Sequence, residues 1–301
     1  MQFLRLMRPS HWIKNIFVFA ALIFGKKLFG PVNQTIAAIT NTGIAFVCFC
    51  LASSAVYVFN DIIDRQTDIV HPERRNRPIA AGKVSVGSAG AFSLLLAFVS
   101  VTGGLILSSR LSVIVLAYIV LMILYSLILK KVMILDCVTI SVGFCLRAVA
   151  GAVAVAVFIS PWLIICTFAL SLFLAFGKRR GEIAQLQENS EVFRKTLAGY
   201  TPELLAHMLD VTSVLAVVCF LLYAMDARTL TIFGTNNLVY TTPLVLYCVF
   251  RLSALTQKGV YSDPVKLILK DRPFQLGFVL WVIACVAIIY SSRLNNSLSS
   301  I

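Results

Sequence analysis

The stretch that decides the fold runs from Ile39 to Asp68 and reads ITNTGIAFVCFCLASSAVYVFNDIIDRQTD. Its first two-thirds, 39–59, contain no charged residue, and roughly 20 predominantly apolar residues are enough to cross the hydrocarbon core of a membrane. The apolar run leads directly into an acidic segment that begins at Asn60. The sequence therefore predicts a membrane-spanning helix with a cluster of carboxylates at one membrane surface.

The composition of the whole chain agrees with this interpretation. The 301 residues are 59% hydrophobic and 13% charged, and the mean hydropathy is +0.90. A soluble domain is about 45–50% apolar and about 25% charged, so a soluble enzyme, a disordered chain and a secreted disulfide scaffold are excluded. An outer-membrane barrel is excluded because the apolar runs are long and unbroken. The eight cysteines lie mostly inside these runs, and we expect them to be small buried hydrophobic residues.

The hydrophobic runs predict an all-α polytopic membrane protein that forms a single domain over residues 1–301. Two long charged connections, at about 60–85 and 177–202, are interpreted as cytoplasmic cap loops. Because the second and the sixth span each lead into such a loop, spans one to four and five to eight are interpreted as two similar four-helix halves, followed by a ninth helix. The nine predicted spans are 13–31, 39–59, 86–108, 111–129, 133–157, 161–177, 203–225, 237–254 and 274–291.

The distribution of basic residues predicts the orientation in the membrane. With a cytoplasmic N-terminus, the connections place 20 Lys and Arg residues on the cytoplasmic side and five on the other side. Cytoplasmic loops of membrane proteins carry such an excess, so we expect the N-terminus inside and the C-terminus outside. The net charge is +13, and the charged residues lie between the hydrophobic runs. This placement favours anionic lipids or anionic substrates as partners over nucleic acid.

The segment from Asn60 to Asp68 carries the sharpest chemical signal. On a helix, Asp61, Asp64 and Asp68 stand at i, i+3 and i+7 and therefore share one face. Three carboxylates on one face repel each other unless a cation lies among them. Oxygen ligands at this spacing suit Mg²⁺, which usually takes one or two carboxylates together with substrate phosphates. We predict that these aspartates form a catalytic metal site; the alternative is a solvated, charged loop.

Several basic residues are candidates for binding anions, and each has a structural alternative. Arg77 can clamp phosphate oxygens with its guanidinium fork, or it can face lipid head groups. Arg147 is costly at membrane depth, so it is either a phosphate ligand or half of a structural pair; Asp136 lies in the same predicted span. Lys14 can be an interface anchor, and Lys178 can form a simple helix pair with Glu182 at i, i+4.

The segment Asn60 to Asp68 resembles the first signature of the UbiA superfamily of intramembrane prenyltransferases. The resemblance extends to one branch of that family, the decaprenyl-phosphate phosphoribosyltransferases. The typical aromatic prenyltransferase has a second Asp-rich motif in the later loop, where this chain has Lys178 and Arg179. The resemblance implies nine helices around a central cavity, with Mg²⁺ and a pyrophosphate bound below the cytoplasmic caps. The matching segments outside the signature are 8–15, 77–82, 135–151 and 160–182.

The branch implies a reaction as well as a fold. It implies Mg²⁺-dependent transfer of a 5-phosphoribosyl group from 5-phosphoribosyl-1-pyrophosphate to a polyprenyl (decaprenyl) phosphate, with release of pyrophosphate, at the inner membrane of a bacterial cell. The alternatives are an aromatic or quinone-pathway prenyltransferase of the same fold and a transporter without turnover. The substrate-binding residues expected on this basis are Lys14, Asn60, Arg77, Tyr125, Lys130, Arg147, Lys178, Arg179 and Glu182.

The predicted orientation can be tested directly. Because the cation bias puts the N-terminus inside and the spans are odd in number, a topology reporter fused after Ile301 should lie on the outer side of the membrane. Alkaline phosphatase fused there should be active, and a green fluorescent protein at the same position should be dark. The opposite pair of signals would contradict a nine-span, N-in arrangement.

Overall fold

The computed structural model describes residues 2–72, 74–186, 199–257 and 268–298, and these residues form helices and connecting loops with no strand. The predicted all-α class is therefore confirmed for the described part of the chain. Part of the second predicted cap loop, 187–198, and the polar stretch 258–267 lie outside it. Eight helices are long and apolar enough to cross a membrane, and each coincides with one of the predicted spans. They are α1 (Val32–Ile63), α2 (Val86–Leu105), α3 (Ser109–Leu127), α4 (Leu135–Ala154), α5 (Pro161–Leu186), α6 (Pro202–Met225), α7 (Thr242–Gln257), which reaches this length together with the 3₁₀ turn Asn237–Thr241 before it, and α8 (Arg272–Leu298).

The remaining predicted span, 13–31, has a different structure. Residues Pro9–Phe19 form a 3₁₀-helix, and Ala20–Phe24 form one short turn of α-helix. Because a 3₁₀-helix rises about 2.0 Å per residue against about 1.5 Å in an α-helix, the segment Pro9–Phe24 is about 30 Å long. The described residues thus contain eight long apolar helices and one shorter apolar segment. The exact count of nine membrane spans stays a prediction, as does the central cavity.

The ends of several helices are fixed by side-chain caps. Backbone N–H and C=O groups have no water to bond within a bilayer, so a spanning segment satisfies them as a helix. The first N–H groups of each helix still need partners. Ser85, Ser108 and Thr201 each precede a helix, and each accepts a hydrogen bond from the backbone N–H three residues later, at 3.2, 3.1 and 3.1 Å. These caps define where the connections end and α2, α3 and α6 begin.

The helices pack in two groups, α1–α3 and α5–α7, with α4 between them; the division into two four-helix halves stays a prediction. α1 packs against α2 and α3, and α5 packs in the same way against α6 and α7. Each group has its own buried apolar cluster, with Phe49 and Tyr118 in the first and Phe173 and Leu205 in the second. α4 contacts both α3 and α5, and it therefore joins the two groups. All eight cysteines are free, five of them buried, as expected for small hydrophobic residues.

The contact between α4 and the segment Pro9–Phe19 gives a test of this packing. A Cβ atom on Gly151 would lie 1.9 Å from the carbonyl oxygen of Val18. Gly151→Ala must therefore separate the two elements, and we expect it to cost about 1–3 kcal/mol as an overpacked site. The measurement is the midpoint of thermal unfolding in detergent.

Gly90→Ala is the matched control, because Gly90 is also helical and a Cβ atom there meets nothing within 4 Å. We expect this variant to keep or slightly raise the midpoint, since Ala favours the helix more than Gly does. Equal midpoints for the two variants would show that the close approach at Gly151 is not needed.

Candidate active site

The acidic residues are held by a nearly continuous helix at the end of α1. α1 ends at Ile63, and a short helix, Arg65–Val70, follows immediately. The backbone N–H of Asp68 bonds to the carbonyl of Asp64 at 2.9 Å, which carries the helical turn across the junction. Asp61 and Asp68 therefore lie on one face, and both are buried, with 2% and 1% of their surface exposed. The side chain of Asp64 is 24% exposed.

Two arginines from different parts of the chain contact the buried carboxylates. Nη1 of Arg77 donates to Asp61 Oδ1 at 3.0 Å and to Asp68 Oδ2 at 2.6 Å. Arg8 donates to Asp61 as well, and its guanidinium lies 5.3 Å from the ring centroid of Tyr57. Arg8 adopts a left-handed backbone conformation with φ of 51°, which costs about 1–3 kcal/mol for a residue other than glycine. Sequence reasoning did not assign Arg8 to the site, although it lies in one of the segments that resemble the family.

Asp64 has a separate set of partners. Lys130, from the 3₁₀ turn Leu129–Lys131 after α3, donates to Asp64 and also to Asn60 Oδ1 at 3.3 Å. The side-chain amide of Asn60 donates in turn to Asp64 Oδ2 at 2.9 Å. The structure thus brings six of the predicted site residues together at one end of the helices: Asn60, Asp61, Asp64, Asp68, Arg77 and Lys130. Three carboxylates face three cations, because Arg8 joins Arg77 and Lys130.

The donor set fits a metal ion that is shared with a phosphate substrate. A single nitrogen of Arg77 lies within hydrogen-bonding distance of both Asp61 and Asp68, so one cation can bridge the two carboxylates. The described residues contain no group of three or more His, Cys, Asp or Glu that could hold a metal on its own. Mg²⁺ usually binds through one or two carboxylates plus substrate phosphates, and the arrangement suits this mode better than a closed, all-protein site.

A second charged network joins α4, α5 and the residues just before α6. Arg179 is 1% exposed; its Nε donates to Asp136 Oδ2 at 2.8 Å, and its Nη1 donates to Glu182 Oε2 at 2.5 Å. The hydroxyl of Tyr200 donates to the other oxygen of Asp136, Oδ1, at 2.8 Å. Burial raises the pKa of Tyr200 well above its usual value, so the hydroxyl stays protonated and remains a donor. Arg179, which we predicted to bind phosphate, is therefore bonded to two carboxylates.

Arg147 takes neutral partners. It donates to Asn15 Oδ1 at 2.7 Å, to the hydroxyl of Tyr118 at 2.8 Å and to the carbonyl of Gly143 at 2.8 Å. Its guanidinium also lies 4.7 Å from the ring centroid of Tyr118 and 4.9 Å from that of Phe144. Arg147 is therefore stabilised by dipoles and aromatic rings. Asp136, which lies in the same helix, pairs with Arg179 instead. Asn15 and Tyr118 were not assigned to the site from the sequence: Asn15, like Arg8, lies in the segment 8–15 that resembles the family, and Tyr118 stands in the apolar run 111–129.

The other predicted site residues are Lys14, Tyr125, Lys178 and Glu182, and they lie outside the acidic cluster. Lys14, Tyr125 and Lys178 are half-buried, and Glu182 is buried against Arg179 rather than serving only as a partner for Lys178. Their roles in substrate binding stay predictions.

The fold and this cluster define a class: a multi-pass helical membrane protein with clustered carboxylates and cations at one helix end. The model of the UbiA prenyltransferase family matches residues 16–270, and the chain belongs to that family.

Relatives and solved structures agree with this assignment. The chain is 32% identical over 302 residues to the decaprenyl-phosphate phosphoribosyltransferase of Mycolicibacterium smegmatis, covering 96% of this chain and 92% of that protein. It is 32% identical to the protein of the same name from Corynebacterium glutamicum, covering 95% and 86%. A UbiA homolog from Archaeoglobus fulgidus bound to DMAPP and Mg²⁺ has a TM-score of 0.71 at 17% identity, covering 96% of this chain and 99% of that one. The likeness to that structure concerns the fold.

The buried network around Arg179 generates a stability prediction. Asp136→Asn removes one of the two charges that compensate a fully buried guanidinium, and breaking a buried pair costs about 3 kcal/mol or more. We expect a clearly lower midpoint of thermal unfolding in detergent. Asp271→Asn is the control, since Asp271 pairs with Arg251, which is 37% exposed, and exposed pairs contribute little. Similar shifts in the two variants would contradict the structural weight assigned to Asp136.

Proposed function

We propose that the chain transfers a 5-phosphoribosyl group from 5-phosphoribosyl-1-pyrophosphate to a polyprenyl phosphate, with Mg²⁺ as cofactor and pyrophosphate as the product released. The observation that carries the proposal is the balanced cluster of three carboxylates and three cations at the end of α1. Support comes from the 32% identity, over nearly the full length, to proteins named decaprenyl-phosphate phosphoribosyltransferase. The substrates of those relatives suit a site rich in cations.

The reaction requires stabilisation of the charges that develop on the ribose and on the pyrophosphate, and it requires little proton transfer. The bond between the anomeric carbon of the ribose and the pyrophosphate breaks, and a bond from that carbon to an oxygen of the lipid phosphate forms. The acceptor oxygen is already anionic, so no general base has to remove a proton. Positive charge develops at the ribose ring, as it does in glycoside hydrolysis, and negative charge develops on the leaving pyrophosphate.

Asp61 and Asp68 are the residues that would hold the metal, with Asp64 as a further oxygen ligand. Bound Mg²⁺ supplies charge neutralisation for the leaving pyrophosphate. Arg8, Arg77 and Lys130 are bonded to these same carboxylates. Once the carboxylates bind a metal, the three cations can turn their donors to phosphate oxygens, where charge-assisted bonds are strong. The same side chains thus balance charge in both states.

The residues of the later loop favour a phosphoribosyltransferase over an aromatic prenyltransferase. Where the typical aromatic enzyme has a second acidic motif, this chain has Lys178 and the buried Arg179. A substrate pair that carries a pyrophosphate, a ribose 5-phosphate and a lipid phosphate needs cations more than a second metal site. Besides Arg8, Arg77 and Lys130, the basic residues that we propose for those anions are Lys14, Arg147 and Lys178.

We also propose the orientation that places this chemistry in the cell. The carboxylate cluster lies at the end of α1, from which the first cap loop begins, and the positive-inside bias puts that loop in the cytoplasm. The N-terminus and the active site then face the cytoplasm of a bacterial cell, and the lipid substrate reaches the site from the inner membrane.

The direct test is an assay with purified protein, Mg²⁺, polyprenyl phosphate and phosphoribosyl pyrophosphate labelled in the ribose. We expect label in the lipid phase and release of pyrophosphate, both abolished by a chelator. Transfer of a prenyl group from its pyrophosphate to an aromatic acid, with no use of the phosphoribosyl donor, would establish the alternative.

Asp64→Asn tests the metal site with little risk to folding, because this carboxylate is partly exposed and Asn keeps nearly its volume. We expect turnover to fall at least about a hundredfold, as for loss of a group worth about 3 kcal/mol in the transition state. Asp61→Asn should reduce turnover similarly but also destabilise the protein, since it leaves the half-buried Arg8 and Arg77 with fewer partners.

Asp226→Asn is the control for removing a carboxylate, since Asp226 follows α6 in another part of the chain. Its turnover should match that of the wild-type protein. Near-normal turnover in Asp64→Asn, with Mg²⁺ still required, would place the metal elsewhere.

A further inference from the structure

The connection between α3 and α4 carries Lys130 to the acidic cluster and is strained at its far end. Lys130 lies in the turn Leu129–Lys131, and Ile134 closes the connection with φ of 68° and ψ of −47°. This is a rare conformation for a β-branched residue, and a strained backbone of this kind persists only where the surroundings hold it. The position of Lys130 therefore depends on what holds Ile134.

Ile134 is held by Tyr200, which lies just before α6. The hydroxyl of Tyr200 accepts a hydrogen bond from the backbone N–H of Ile134 at 2.7 Å and donates its own proton to Asp136 at 2.8 Å. Next to it, Gly199 approaches so closely that a Cβ atom there would lie 2.7 Å from the sulfur of Met133. One aromatic side chain thus fixes both the last residue of the connection and the first turn of α4.

Tyr200 is in turn fixed by the buried ion pairs. Asp136 accepts from Tyr200 with one carboxylate oxygen and from Arg179 with the other, and Arg179 is bonded to Glu182 as well. Asp136 is 0% exposed, Arg179 1% and Tyr200 4%. Fully satisfied buried polar networks are rigid, so the network fixes the geometry of the tyrosine. It also occupies two donor groups of Arg179, a residue that the sequence predicts to bind phosphate.

We infer that Tyr200 and Arg179 are positioning residues for Lys130: the network Arg179–Asp136–Tyr200 fixes Ile134, and Ile134 fixes the connection that presents Lys130 to Asp64 and to the pyrophosphate. The inference rests on the proposed function in one respect, that Lys130 binds a phosphate. It assigns the second half of the molecule a part in pyrophosphate binding that requires no contact between Arg179 and the substrate.

The test is a double-mutant cycle on binding of Mg²⁺-pyrophosphate, which needs no turnover. The four proteins are the wild type, Tyr200→Phe, Lys130→Ala and the double variant, and the Kd is measured by calorimetry in detergent. Tyr200→Phe removes one hydroxyl and keeps the ring, so we expect the Kd to rise about three- to tenfold when Lys130 is present, as for a lost hydrogen bond. In the Lys130→Ala background the same change should alter the Kd less than about twofold, because coupled residues are not additive.

Tyr290→Phe is the matched control. Its hydroxyl also accepts from a backbone N–H, that of Leu28 at 2.9 Å, so its loss should lower the unfolding midpoint and leave the Kd unchanged. An unchanged Kd in Tyr200→Phe, or an equal loss in both backgrounds, would overturn the inference. The proposed function is judged separately: a protein that binds Mg²⁺-pyrophosphate but does not transfer the phosphoribosyl group contradicts that function and leaves the cycle valid.

Discussion

The structure depends on the neutralisation of three carboxylates at the end of α1. Asp61, Asp64 and Asp68 lie within two helical turns, and their mutual repulsion opposes this arrangement unless cations lie among them. The cations come from three places in the sequence: Arg8 from the N-terminal segment, Arg77 from the first cap loop and Lys130 from the connection after α3. Their convergence ties these three segments to α1, so the site and this part of the fold are stabilised by the same contacts.

The two buried arginines show two ways of stabilising a positive charge inside the protein. Arg179 is compensated by Asp136 and Glu182, and losing either partner leaves a poorly solvated guanidinium. Arg147 is stabilised by the oxygens of Asn15, Tyr118 and Gly143 and by two aromatic faces, so its positive charge is solvated without a carboxylate. An anion near Arg147 would be attracted by that charge, whereas the charge of Arg179 is already neutralised by two carboxylates. This difference makes Arg147 the better candidate for a phosphate.

Much of the fold and the acidic half of the site could be predicted from the sequence. Apolar run length predicts spans because a bilayer forces each run to be helical, and eight predicted spans coincide with long helices. The span 13–31 differed because 3₁₀ geometry covers the same distance with fewer residues, which a residue count cannot show. The cluster Asp61, Asp64 and Asp68 was visible because helical spacing is local. Arg8, Asn15 and Tyr200 were not, since their roles arise from contacts between residues far apart in the chain.

The balanced cluster also explains how such a site can be ready for highly charged substrates. Arg77 lies between Asp61 and Asp68, at the position that we propose for a divalent cation. If Asp61 and Asp68 held a metal, Arg8, Arg77 and Lys130 could bond to phosphate oxygens instead of carboxylates, so that no charge would be left without a partner. Burying a single uncompensated charge costs several kcal/mol, and an exchange of partners avoids that cost. On the proposed function, the affinities of the site for the metal and for the phosphate would then be coupled, since binding of each would release side chains that bind the other.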